Sequence, residues 1–252
     1  MKTEMIKIDR DDMDLREMKR AGEILKKGGL VAFPTETVYG LGGDALDETA
    51  AHRIYEAKGR PSDNPLIIHI ADMEHLDKIV EEVPEAAHKL AEAFWPGPLT
   101  MIMNKSDAVP HGTTGGLDTV AIRMPSDPIA LELIRQGGGY VAAPSANTSG
   151  RPSPTTAQHV YEDLQGKIPM ILDGGAVTIG LESTIVDLTE EVPTILRPGY
   201  ISLEMVQAVL GEAKMDKGLI SSDSNIHPKA PGMKYRHYAP KADLKIVEGP
   251  VE

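Results

Sequence analysis

The chain has 252 residues, of which 41% are hydrophobic and 25% charged, and it carries a formal net charge of −12. No apolar run is long enough to span a membrane, the N-terminus lacks a secretory signal, and the absence of cysteine excludes disulfides, zinc–thiolate sites and a cysteine nucleophile. We therefore expect a cytoplasmic globular protein with no membrane partner. Its acidity argues against non-specific binding of nucleic acid, because such binding depends on neutralising phosphates.

Hydrophobic periodicity predicts alternating helices and strands over residues 1–211. In chain order, helices are predicted at 13–27, 48–57, 73–80, 84–94, 127–136, from a capping box at Thr155 and Gln158, and at 202–211. Strands are predicted at 30–33, 66–70, 99–103, 119–124, 140–143, 170–172, 183–188 and 194–196, with a glycine-rich, hydroxyl-rich turn at 34–43. Many of these strands are apolar throughout, which indicates a mixed, largely buried sheet with helices packed on it, in one α/β domain.

The character of the chain changes after Gly211. Residues 212–241 are rich in Lys, Ser, Asp, Pro and Gly and are predicted to be a linker, and residues 231–240 within it combine cations with tyrosines. A strand is predicted near 243–247. Residues 242–252 would then begin a second domain that is largely missing.

The loop that follows the helix at 48–57 concentrates polar chemistry. Lys58, Arg60 and Asn64 suit phosphate oxygens, and Arg60 can bind them in a bidentate manner. A solvated helix end explains the two cations equally well. His69, in the apolar strand that follows, is by spacing alone more typical of a core histidine than of a ligand-binding group.

Other polar residues lie within strands or where strands end. Arg123 occupies an apolar strand, and an unpaired buried cation is costly, so we favour anion binding such as a substrate carboxylate. Ser145, Ser183 and Arg197 lie in strand-end loops, where α/β sheets form sites, although each alone could serve a turn. No Walker A, G-x-G-x-x-G, H-E-x-x-H or G-x-S-x-G motif is present.

Taken together, the sequence blocks resemble those of a known family. They are PTETVYGL at 34–41, KGRP at 58–61, NPL at 64–66, WPGPLT at 95–100, RMP at 123–125, PSAN at 144–147 and STI at 183–185. In this order they resemble the YrdC-type threonylcarbamoyl-AMP synthases over residues 15–210. The segment KYRHYAP at 234–240 resembles the linker of the long form, which carries a C-terminal Rossmann-like domain.

The resemblance implies a fold and a reaction. The fold is a twisted mixed sheet with flanking helices around a concave, positively lined cavity. The reaction converts L-threonine, bicarbonate and ATP, accompanied by Mg²⁺, into threonylcarbamoyl-AMP and pyrophosphate, with no tightly bound organic cofactor. The product passes to a complex that transfers the threonylcarbamoyl group to adenosine 37 of ANN-decoding tRNAs.

The resemblance also implies site residues. L-threonine would be held by Thr37, His69, Arg123, Ala143 and Ser183. ATP would be held by Lys58, Arg60, Asn64, Thr119, Ser145, Ser153, Arg197 and Tyr238. Lys58 and Arg60 would act near the phosphates as the catalytic cations, no residue is assigned to a metal, and the linker would close over the site.

Two alternatives compete with this interpretation. The basic loops are compatible with a non-catalytic RNA-binding module, which the net charge opposes. A carbamoyl-transfer module of the hydrogenase-maturation type is the other alternative. Those relatives carry cysteine zinc motifs, and this chain has no cysteine.

Overall fold

The structure is a computed structural model that describes residues 1–59, 62 and 64–216. In these ranges the strands are β1 Glu4–Lys7, β2 Val31–Phe33, β3 Gly40–Asp44, β4 Ile67–His69, β5 Leu99–Asn104, β6 Thr119–Arg123, β7 Val141–Ala143, β8 Met170–Asp173, β9 Thr184–Asp187, β10 Thr194–Arg197 and β11 Lys214–Met215. The helices are α1 Leu15–Lys26, α2 Glu48–Lys58, α3 Leu76–Ile79, α4 Glu85–Phe94, α5 His111–Thr114, α6 Pro128–Gln136, α7 Ala157–Leu164 and α8 Leu203–Leu210. A 3₁₀ turn, Met73–His75, precedes α3.

Five of the eight described helices, α1, α2, α6, α7 and α8, begin at a side chain that accepts a hydrogen bond from a free backbone N–H group of the first turn. Asp127 caps α6 by accepting from the Ile129 N–H, and Ser202 caps α8 by accepting from Met205, which confirms both predicted starts. The N-cap of α7 is Thr156, one residue after the predicted cap Thr155, and its side chain accepts a hydrogen bond from the His159 N–H.

All eleven strands join one mixed sheet in the order β1-β8-β2-β3-β7-β4-β6-β5-β9-β10-β11. Parallel pairs such as β4–β6 and β5–β9 alternate with antiparallel pairs such as β4–β7 and β5–β6. The predicted mixed α/β sheet is therefore confirmed. Strands distant in sequence become neighbours, so β4, β6 and β7 bring together residues near positions 69, 123 and 143.

Both faces of the sheet are buried at inner strands such as β2 and β7, which explains why these strands are apolar throughout. In β2, Ala32 faces the larger cluster, whereas Val31 and Phe33 face a second cluster beneath α1 and α6. On β4, β5, β6, β9 and β10 lies a third, small group: Ile67, Ile102, Ala121, Ile185 and Leu196. This third group forms the apolar floor near the site described below.

Three of the strands, β1, β3 and β11, were not predicted as strands from the sequence. The glycine-rich stretch predicted as a turn forms β3, because its neighbours approach too closely for side chains: a Cβ on Gly42 would lie 2.8 Å from Val141 Cγ1. Strand β1 was not predicted, because its four residues acquire a structure only by pairing with β8, some 165 positions later. The glycines of β3 are therefore a sign of close packing between strands and not of a turn.

Toward the end of the described chain, β11 lies at the start of the segment predicted as a linker. It pairs in parallel with β10, with Thr194 opposite Lys214. The strand predicted at 243–247 lies outside the described residues. No helix in the described ranges is long and apolar enough to cross a membrane.

Candidate active site

A cavity of about 280 Å³ opens on the sheet where β4, β6 and β7 meet the loops that follow β2, β7 and β10. Eight residues predicted from the sequence line it: Thr37, His69, Arg123, Ala143, Ser145, Ser153, Ser183 and Arg197. They come from positions 37 to 197, so only the tertiary fold brings them together. The gathering is the main structural support for the predicted site.

Strand register sets the floor of the cavity. His69 lies opposite Arg123 across the parallel β4–β6 pair, and Ile67 lies opposite Ala143 across the antiparallel β4–β7 pair. Residues two apart in a strand share a face, so Ile67 and His69 point the same way. The floor is thus apolar, with one histidine and one arginine set into it.

Arg123, the arginine of the floor, is deeply buried, with 4% of its surface exposed. Its Nη1 donates to Thr37 Oγ1 at 2.9 Å, and its Nε donates to the Gly97 carbonyl at 3.3 Å. Its Nη2 lies 2.6 Å from Glu36 Oε1, an ion-pair distance without the alignment of a hydrogen bond. The guanidinium is therefore held on three sides, and the sequence had not indicated Glu36 as its partner.

His69 is neutral in this environment. Burial, reinforced by the positive charge of Arg123, lowers the pKa of the imidazole to about 3. Its Nδ1 lies 3.1 Å from the Ile67 carbonyl, so Nδ1 carries the proton and donates it. The neutral ring carries no charge, and because its one N–H is donated to Ile67, Nε2 is its acceptor nitrogen.

Replacing His69 by Asn should flatten the dependence of stability on pH. The unfolded chain protonates His69 near pH 6.5 and the folded chain only near 3, so stability falls as the pH drops below about 6.5. We expect this group to remove about 2 kcal/mol of unfolding free energy between pH 7 and pH 5. The asparagine side chain keeps an N–H donor but does not titrate.

Urea unfolding of both proteins at the two pH values measures this difference, and the shifts of the exposed carboxyl groups, common to both, cancel. Equal losses of stability in the wild type and the variant would contradict a neutral, buried His69.

Hydroxyl groups line the wall of the cavity near β9 and β10. Ser183 Oγ lies 2.7 Å from Thr100 Oγ1. Arg197 Nη2 donates to Ser183 Oγ at 3.1 Å and to the Ser183 carbonyl at 2.9 Å. Arg197 is thereby fixed against the residue predicted to contact threonine.

A second wall is formed by the loops after β7. Ser145 Oγ donates to Asn147 Oδ1, and Ser153 Oγ donates to Glu182 Oε1, both at 2.6 Å. Arg123, Arg197 and Glu182 are the charged groups of the described lining, which is therefore net positive, as the resemblance implied. The Glu36 carboxylate behind Arg123 offsets part of that charge.

Lys58, predicted to act near the phosphates, does not line the described cavity. It is 2% exposed. Its Nζ donates to the backbone carbonyls of Ser145 and Asn147. The last turn of α2 lies behind this loop, so the ammonium supports the loop from the inside.

Four further predicted residues do not line the described cavity. Asn64 is fully buried, and neither atom of its side-chain amide has a hydrogen-bond partner among the described residues. Thr119 begins β6, opposite Asn104. Arg60 and Tyr238 lie outside the described residues.

The sequence interpretation overlooked three polar residues at the cavity: Thr35 and Glu182, which line it, and Glu36 behind Arg123. Glu36 carried a signal, since a glutamate between two threonines directly after an apolar strand has to be satisfied when buried. Glu182 directly precedes Ser183 in the chain and had no separate signal in the sequence.

Comparison with known proteins assigns the chain to a family. A Sua5/YciO/YrdC family model, described as "Telomere recombination", matches residues 23–199. A second family model, "Threonylcarbamoyl-AMP synthase, C-terminal domain", matches residues 201–252. The expectation that the C-terminal domain is largely missing is therefore not borne out.

Individual relatives agree with this. The Threonylcarbamoyl-AMP synthase of Pyrococcus abyssi is 55% identical over 241 residues, which cover 96% of this chain and 71% of the relative. That of Bacillus subtilis is 54% identical, covering 94% and 68%. The crystal structure of P. abyssi Sua5 complexed with L-threonine superposes with a TM-score of 0.94 at 54% identity, covering 98% of this chain and 72% of that one.

The non-catalytic alternative is not favoured by these similarities. A family model that matches most of the chain, relatives above half identity and a shared fold agree with one another. The chain belongs to the threonylcarbamoyl-AMP synthase family.

Proposed function

We propose that the chain condenses L-threonine, bicarbonate and ATP into threonylcarbamoyl-AMP, releasing pyrophosphate. The observation that carries the proposal is the convergence of eight residues, predicted from motifs scattered along the sequence, on one cavity. The similarity to a Sua5 structure that contains L-threonine supports the same substrate.

The threonine half of the site is proposed to be Arg123, Thr37, Ser183, His69 and Ala143. Arg123 is the natural partner of the substrate carboxylate, because a guanidinium forms strong charge-assisted hydrogen bonds with it. The Thr37 and Ser183 hydroxyls and the neutral His69 ring supply donors and acceptors for the amine and hydroxyl.

The ATP half is proposed to include Ser145, Ser153 and Arg197 on the cavity wall, together with Asn64 and Thr119. The loop hydroxyls and the Arg197 guanidinium suit phosphate and ribose oxygens. Arg60 and Tyr238, which lie outside the described residues, complete the set implied by the family motifs. Lys58 is proposed to act from behind, by holding the loop that carries Ser145.

In the proposed reaction, bonds form and break between the substrates, and the side chains of the protein take little part in covalent steps. The threonine amine and bicarbonate give a carbamate and water, and a carbamate oxygen then attacks the α-phosphorus as the bond to pyrophosphate breaks. Catalysis would come from positioning the two substrates and from stabilising the charge on the phosphates.

Mg²⁺ is proposed to arrive with ATP as part of the substrate. No group of three or more His, Asp or Glu side chains in the described part of the chain could hold a metal by itself. Glu182 is the one carboxylate of the described lining. This fits an ion that keeps several waters and is bound mainly by phosphates and at most one or two carboxylates.

The segment 212–241 is proposed to be the linker that closes over the site. Strand β11 runs parallel to β10, and β10 ends at Arg197 on the cavity wall. Strand β11 therefore runs in the direction of the cavity. Residues 217–241 of the segment lie outside the described residues.

We further propose that the product serves a tRNA threonylcarbamoyl-transfer complex in the cytoplasm, which modifies adenosine 37. The net charge of −12 supports transfer through that complex rather than direct tRNA binding by this chain.

Pyrophosphate release tests the proposal. The protein with Mg·ATP, L-threonine and bicarbonate should release pyrophosphate together with an adenylate whose mass contains threonine and one carboxyl group. Omitting threonine or depleting bicarbonate should stop release, and L-valine, which lacks the hydroxyl, should substitute poorly. Release that is independent of threonine would contradict the proposal.

A further inference from the structure

Glu36 is the one acidic group that contacts the arginine of the cavity floor in the described structure. It is 8% exposed, Arg123 is 4% exposed, and their closest atoms, Oε1 and Nη2, lie 2.6 Å apart. A buried ion pair costs desolvation of both partners, so its presence at a substrate site calls for a reason other than stability.

The Glu36 carboxylate is itself held in place. Its Oε2 accepts from the Ser126 N–H at 3.2 Å. Its backbone carbonyl accepts from the Ile179 N–H at 2.9 Å and from Thr178 Oγ1 at 3.2 Å. The backbone contacts fix the position of the residue, and the carboxylate cannot swing away from Arg123 without breaking its hydrogen bond with the Ser126 N–H.

The contacts of Arg123 determine which of its N–H groups remain available to a ligand. Of its five N–H groups, one on Nε and one on Nη1 bind Gly97 and Thr37. Three N–H groups have no aligned acceptor in the described structure: the second on Nη1, beside Thr37 Oγ1, and the two on Nη2, which lie beside the Glu36 carboxylate. A phosphate that used several of these donors would have to approach the negative charge of Glu36, whereas a single carboxylate oxygen can use the Nη1 donor.

The combined charge of Arg123 and Glu36 also favours a carboxylate over a phosphate. A lone buried guanidinium binds phosphate at least as well as carboxylate, and the proposed reaction brings a triphosphate into the same cavity. Glu36 makes the site nearly neutral, and its repulsion grows with the charge on the ligand. Specificity of this kind needs a repulsive element as well as an attractive one.

We propose that Glu36 is a positioning and selectivity residue, which orients Arg123 for the carboxylate of threonine and keeps polyphosphate out of the threonine half of the cavity. This inference rests on the proposed function, since it presumes that Arg123 receives threonine.

The test compares the wild type with Glu36→Gln, which keeps the shape and removes the charge, and with Glu36→Asp, which keeps the charge. Glu17→Gln, on the surface beside Arg20, is the matched control. Calorimetry measures the Kd of L-threonine with and without inorganic pyrophosphate, and thermal unfolding checks folding.

For the wild type, Glu36→Asp and Glu17→Gln, pyrophosphate should leave the Kd of threonine nearly unchanged. For Glu36→Gln, pyrophosphate should compete with threonine and lower the ratio of threonine to pyrophosphate affinity at this half-site by about tenfold or more. A purely structural role would weaken both ligands together and leave this ratio unchanged.

An unchanged ratio in Glu36→Gln, or pyrophosphate competition already present in the wild type, would overturn the inference. Failure of the wild type to bind threonine would instead overturn the proposed function, so the two failures are distinguishable.

Discussion

Arg123→Met is expected to weaken L-threonine binding by at least about 30-fold, because truncating one member of a hydrogen-bonded buried charge pair removes about 2–5 kcal/mol. ATP binding should change far less, since the proposed ATP ligands that line the cavity, Ser145, Ser153 and Arg197, lie on its walls and not on the floor with Arg123. Calorimetry with threonine and with an ATP analogue, each titrated separately, measures the two effects. Equal losses for both ligands would contradict the carboxylate role.

Two further variants separate binding from folding in this experiment. Arg123→Met leaves the Glu36 carboxylate buried without its partner, which destabilises the fold by about 3–5 kcal/mol. The double variant Arg123→Met/Glu36→Gln removes that uncompensated charge and should recover stability but not threonine binding. Arg135→Met, which breaks the exposed ion pair with Asp72, should leave both properties intact.

Lys58→Met is expected to destabilise the fold and weaken ATP binding together. Removing the ammonium leaves the buried carbonyls of Ser145 and Asn147 without this donor, at a cost of about 3 kcal/mol. For a protein of this size the loss corresponds to a fall in Tm of roughly 5–10 °C. The loop that presents Ser145 should loosen as a consequence.

A control variant and one combination of results distinguish a structural role of Lys58 from a direct role at the phosphates. Lys89→Met removes an exposed lysine paired with Glu85 on α4 and should change the Tm little. Thermal unfolding and ATP-analogue titration measure both properties of Lys58→Met. An unchanged Tm combined with lost ATP binding would show that Lys58 acts on the phosphates directly, as the sequence alone suggested.

The relation between Lys58 and Glu36 shows where sequence reasoning reached its limit. Lys58 was predicted to be a site residue because it lies in a short polar loop, but its ammonium donates to backbone carbonyls. Glu36 drew no separate attention, yet it faces the arginine of the floor. Spacing along a chain does not reveal which buried charge meets which partner across 87 positions.

The sequence by itself determined the class of fold and predicted eight residues that line one cavity. Apolar runs of strand length mark β2, β4, β5 and β6, and polar cap residues such as Asp127 and Ser202 mark helix starts, because these signals depend on local propensity and periodicity. Eight site residues followed from motif resemblance.

The tertiary structure alone decided strand order, the strands β1 and β3, and the electrostatics of the floor. Strand β1 exists through a partner some 165 residues away, and β3 through neighbours that leave no room for a side chain at Gly42. His69 changed from an expected core histidine to a buried, neutral cavity residue because register places it opposite Arg123. These features depend on contacts between distant segments, which local sequence does not encode.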